Sequence, residues 1–159
     1  MLRFGLGVAV AVAALDQLSK WLVTKVFEPA GEAIEVTPFL NLVMVWNPGV
    51  SFGLLQSWSP LLPWLLAALS GAIVGGLVWW LARVKGRWLG TAIGLVIGGA
   101  VGNVIDRLRY GAVADFIDFH LAGYHWPAFN AADSAIVVGV AMLLLDALFG
   151  DREKPNKGS

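Results

Sequence analysis

The chain has 159 residues, 58% of them hydrophobic and 14% charged, with a formal net charge of zero at pH 7. A soluble domain carries roughly a quarter charged residues, so this composition points to one membrane domain spanning 1–159. The absence of cysteine excludes disulfides, thiol nucleophiles and thiolate metal sites, and the absence of any basic block argues against a nucleic-acid partner.

Four stretches have the roughly 20 apolar residues that a helix needs to cross a bilayer. The first runs from Phe4 to Val26. Arg3 and the Ala11–Ala13 A-x-A pattern superficially suit a removed signal peptide, but the run continues through Asp16 and Lys20, too long and too polar for one. Those two residues lie one helical turn apart, so they share a face and can pair. Two readings stand side by side: a helix-end ion pair with Lys20 snorkelling outward, and a supporting role beneath a site.

Residues 27–60 form the first long connection. Within it Ile34–Trp46 is rich in β-branched and aromatic residues and reads as two or three strands resting on the membrane, with Pro38 at an edge or break. Asn47-Pro-Gly reads as a turn, and Ser51–Trp58 as a short amphipathic helix in the interface. The second span, 61–81, opens with Pro60 and Pro63, where a missing N–H costs little.

The third span, 88–108, contains Gly94, Gly98 and Gly102, a small-xxx-small ridge that permits close helix approach. Gly99, Asn103, Asp106 and Arg107 fall on one face of the same helix. Packing explains the glycines but not the three polar residues. Asp106 is expected to pair with Arg107 or Arg109.

Residues 109–130 form the second connection, and Ala131–Phe149 the fourth span. Asp115 and Asp133 bracket this connection near its ends, and no Lys or Arg lies between them. Asn130-Ala-Ala-Asp133 satisfies a capping-box pattern, which accounts for Asp133 but not for Asp115. Asp118, His120 and His125 lie close together, yet without the spacing of a metal motif, and no metal is expected. Ser51 and Ser134 lack a convincing base partner.

Basic residues orient the chain. Arg3, the Arg83–Lys85–Arg87 connection and Arg152, Lys154 and Lys157 should be cytoplasmic, along with both termini. By contrast, Glu28–Ser59 has three Glu and Gly111–Asn130 two Asp, with no Lys or Arg in either. Asp115 and Asp133 should therefore meet on the outer side, where two carboxylates sharing a proton can activate water. A proton-coupled carrier and a non-enzymatic assembly subunit are the competing readings.

Five ordered blocks then resemble the lipoprotein signal peptidase (signal peptidase II) family: D-Q-L-S-K from Asp16, N-P-G-V-S-F from Asn47, G-G-A-V-G-N-V-I-D-R from Gly98, V-A-D-F from Val113 and F-N-A-A-D from Phe129. The resemblance implies an all-α polytopic fold of four transmembrane helices with a small extracytoplasmic β-cradle and a short interfacial helix. It implies a monomeric aspartyl endopeptidase of the bacterial inner membrane that needs no cofactor. Its substrates would be diacylglyceryl-modified prolipoproteins, met within membrane lipid and cut before the modified cysteine. It further implies Asp115 and Asp133 as the catalytic pair, with Asn47, Gly99, Asn103, Arg107, Val113 and Asn130 lining the substrate site. Asp16, Lys20 and Asp106 would support it.

Overall fold

A computed structural model describes residues 1–27, 33–49 and 61–149. The elements in chain order are α1 (Leu2–Val26), β1 (Ile34–Thr37), β2 (Leu40–Asn47), α2 (Leu62–Leu81), α3 (Arg87–Tyr110), β3 (Val113–Leu121), β4 (Tyr124–His125) and α4 (Ala131–Phe149). All four helices are long and apolar enough to cross a membrane, and the chain is a multi-pass membrane protein. Ser51–Trp58, expected as an interfacial helix, lies outside the described residues.

The bundle is arranged around α3, which packs against each of the other helices. Of its apolar stretch 56% is buried, against 17% or less in the others. Close approach is built from missing side chains. A Cβ at Gly94 would come within 2.6 Å of the Gly5 carbonyl, and one at Gly98 within 2.6 Å of the Ala9 carbonyl, both on α1. A Cβ at Gly102 would collide with the Asp16 carboxylate, and one at Gly99 with the Ala132 carbonyl of α4. The expected glycine ridge thus faces α1, while Gly99 opens the seam with α4. Large apolar side chains such as Leu15, Trp21, Leu65, Leu69, Val137 and Leu148 remain exposed on the outside, as a lipid-facing surface requires.

Gly111, with φ 70°, caps α3 in the left-handed region and turns the chain into β3. The sheet runs β1-β2-β3-β4, antiparallel throughout. The second connection therefore contributes strands, although the sequence predicts strands in the first alone. Its pattern is obscured because Asp115 shares a face with Val113 and Ile117, breaking the apolar alternation that marks a strand. Ala122 (φ 51°) and Gly123 (φ 80°) make the two-residue turn into β4. Residues 126–129 then run back along β3: Trp126 N–H donates to the Phe119 carbonyl, and Phe129 exchanges bonds with Ile117. This return delivers the chain to Asn130.

Candidate active site

Two elements bring the acids together. β3 carries Asp115, with Val45 opposite it and Asn47 opposite Val113 on β2. The bulge between Leu42 and Val45 sets this local register. Asn47 therefore projects from the same face as Asp115, and its Nδ2 donates to Asp115 Oδ2 at 3.0 Å. Asp133 sits in the first turn of α4, where helix N–H groups and the dipole favour a carboxylate.

A chain of amides joins the two acids. Asn130 Nδ2 donates to Asp115 Oδ1 at 2.7 Å and to Asn103 Oδ1 at 3.2 Å. Asn103 Nδ2 in turn donates to Asp133 Oδ1 at 2.8 Å. Asp115 is 1% exposed and Asn130 fully buried, whereas Asp133 is half-buried and lines a groove of about 500 Å³. Trp126, Phe129, Ile136 and Val137 make the groove strongly apolar. Burial, reinforced by the nearby charge of Asp133, pushes the Asp115 carboxyl up to about 6 against the hydrogen bonds from Asn47 and Asn130.

Beneath the pair lies a buried charge cluster. Lys20 Nζ is 2.8 Å from Asp16 Oδ2 and 2.8 Å from Asp106 Oδ2, and it donates to Asn103 Oδ1 at 3.1 Å. Lys20 is 4% exposed, so it turns inward and does not snorkel. Asp106 pairs with Lys20, not with Arg107 or Arg109 as expected: α1 approaches so closely at Gly102 that its ammonium reaches α3 first. Asp106 also accepts from the Ala114 N–H, and Asp16 from the Ala132 N–H that would otherwise be an unpaired donor at the start of α4. Gln17, which the sequence reading gave no role of its own, donates to Asp106 Oδ1 at 2.8 Å. The available signal was a carboxamide inside an apolar span, which demands a partner.

Arg107 donates to the Gly49 carbonyl at 3.2 Å, holding the Asn47-Pro48-Gly49 turn against α3. Its Nε is buried with no hydrogen-bond partner among the described residues. Val113 is buried in the sheet, and Gly99 is closed off by α4, so each shapes the site without offering a side-chain polar atom. Asp118 and His125 lie apart from this constellation and hydrogen-bond each other at 2.9 Å. Burial tends to raise the Asp118 carboxyl, but the bonds from His125 and Asn41 outweigh it and hold the group below the usual range. No cluster of three or more metal-ligating acids, histidines or cysteines occurs among the described residues.

The family described as "Signal peptidase (SPase) II" matches residues 8–149. A lipoprotein signal peptidase of Aeromonas hydrophila is 46% identical over 151 residues, covering 94% of this chain and 90% of that protein. One of Paraburkholderia phytofirmans is 49% identical over 145 residues, covering 90% of this chain and 83% of that protein. A solved structure, titled as a bacterial membrane enzyme determined by the in meso method, superposes with a TM-score of 0.82 at 31% identity, covering 98% of this chain and 93% of that one. A second of the same description gives 0.77 at 33% identity, with 92% and 93% covered. With the match running from the first helix to the end of the fourth, the chain belongs to the signal peptidase II family.

Proposed function

We propose that this protein is an aspartyl endopeptidase that removes signal peptides from bacterial prolipoproteins, cutting before the lipid-modified cysteine. The observation that carries this reading is the amide chain from Asp115 through Asn130 and Asn103 to Asp133. It brings two carboxylates to one site, one buried and one open to an apolar groove. In this reading the two carboxylates share one proton between them. The ionised member takes a proton from water as the water oxygen bonds to the scissile carbonyl carbon, and the protonated member gives its proton to the carbonyl oxygen. The gem-diol then collapses: one of its O–H groups returns a proton to the ionised member, the C–N bond breaks, and the amine leaves with the proton of the other member. Neither acid is assigned one role permanently.

The groove beside Asp133 suits an acyl-bearing substrate, and Arg107 Nε, which has no hydrogen-bond partner among the described residues, suits a substrate carbonyl. Asn47, Asn103, Asn130, Arg107 and Val113 line the substrate site in this reading, and Gly99 lets α4 lie close enough for Asp133 to join it. The reading also has both termini cytoplasmic and the acids on the outer face of the inner membrane. Gly5 packs against Leu81 and Gly90, so the start of α1 and the basic α2–α3 connection share one end of the bundle.

Purified protein incubated with a lipid-modified precursor should shorten it on a gel. Asp115→Asn or Asp133→Asn should slow the reaction by roughly 10²–10⁴-fold or more while substrate still binds. Either variant cutting at the wild-type rate would end this reading.

A further inference from the structure

Asn103 presents its oxygen to one neighbour and its nitrogen to another, and something must decide which faces which. A carboxamide's two ends are nearly identical in shape, so its orientation follows from its partners alone. Asp133 Oδ1, 2.8 Å from Asn103 Nδ2, is a carboxylate oxygen that accepts. On the other side stand Lys20 Nζ at 3.1 Å and Asn130 Nδ2 at 3.2 Å, and both only donate. Rotating the amide by half a turn would set N–H groups against an ammonium and an amide, and an oxygen against a carboxylate. Lys20 itself cannot turn away, because Asp16 and Asp106 hold it at 2.8 Å on either side in a buried setting.

We infer that Lys20 is a positioning residue that acts through Asn103. Its ammonium locks the Asn103 amide so that Asp133 Oδ1 always meets an N–H there, which fixes where that carboxylate points. The inference rests on the aspartyl reading above. The charged groups facing Asp133 are Asp115 from β3 and Arg107 from α3. Those facing Lys20 are Asp16 on its own helix, Asp106 on α3 and, at longer range, Asp115 on β3. Without Lys20, only the bond from Asn130 Nδ2 at 3.2 Å holds the Asn103 amide in this sense, and the N–H that faces Asp133 is less firmly fixed.

The test uses full-length protein and a lipid-modified precursor. In an Asp106→Asn background, which keeps the net charge of the buried cluster unchanged, Lys20→Gln retains an N–H for Asn103 and Lys20→Met does not. The Met variant should show kcat about 10–100-fold below the Gln variant, with KM within about threefold. Equal kcat in the two variants overturns the relay. If neither variant melts cooperatively, Asn103→Asp carries the test, because Lys20 can pair with the new acid. That change keeps an acceptor toward Lys20 and replaces the N–H facing Asp133 with an oxygen. Its kcat should then fall about 10–100-fold with KM within about threefold; an unchanged kcat, or a loss confined to KM, overturns the relay. Cutting by wild type and none by Asp133→Asn set the baseline. Absence of cutting by wild type would sink the functional reading, which is distinct from equal Met and Gln rates.

Discussion

Asn130 and Asp133 are bonded to each other twice: the Asp133 N–H donates to Asn130 Oδ1 at 2.9 Å, and the Asn130 N–H donates to Asp133 Oδ2 at 3.3 Å. This reciprocal cap starts α4, and the same Asn130 side chain reaches Asp115. Folding and site geometry therefore depend on one amide. Asn130→Ala should lower stability by about 1 kcal/mol through the lost cap and slow cleavage by far more than that loss explains. Thermal melts beside kcat would separate the two effects; a variant destabilised yet fully active would show that Asn130 serves only the helix.

Asp115 makes stability depend on pH in the direction opposite to a salt-bridged acid. Its carboxyl protonates at about 6 in the folded protein, and near 3.9 when unfolded. The folded state therefore binds more protons between those values. Its contribution is fully present below about pH 4 and is lost as pH rises through 6, an effect on the order of 3 kcal/mol. Asp115→Asn should flatten this slope and leave the protein more stable than wild type at pH 7.5. Melting temperatures from pH 4 to 7.5 for both proteins would check it, and parallel slopes would refute it.

Gly99 and Gly75 separate packing from helix propensity. A Cβ at Gly99 strikes the Ala132 carbonyl and comes within 2.8 Å of Ile136 Cγ1, whereas one at Gly75 meets nothing within 4 Å. Gly99→Ala should push α4 away from α3, costing about 1–3 kcal/mol, and cut activity at least tenfold by displacing Asp133. Gly75→Ala on α2 should leave activity unchanged. Similar rates in both variants would mean that the α3–α4 seam tolerates the extra methyl.

Incubation with a strong chelator should not change the cleavage rate, since the proposed chemistry runs on carboxylates alone. His125→Gln, which breaks the contact to Asp118 across the β3–β4 ribbon, should shift stability by less than about 1 kcal/mol because the imidazole is largely exposed. Loss of activity under chelation, restored by added metal, would contradict the mechanism.

The helices were legible because hydropathy over 20 residues is a strong signal, and α4 runs Ala131–Phe149 as expected. The polar residues stood out because an apolar span makes each one costly. Their partners were less legible. Asp106 belongs to Lys20 because of how closely α1 approaches at Gly102, a distance that no local pattern encodes. β3 was hidden for a related reason: the acid that gives the strand its interest also interrupts the alternation by which a strand is recognised. The pairing of β2 with β3 joins residues from two connections separated by α2 and α3, and only the assembled bundle brings them side by side.

Because α3 is enclosed by its three neighbours, the groups that define the site on it, Asn103 and Asp106, are insulated from whatever bilayer surrounds the protein. Acyl length, saturation and headgroup mixture press on α1, α2 and α4 from outside. The outer surfaces of those helices are thus free to drift toward the grease of each host, while the inner mast has almost no latitude.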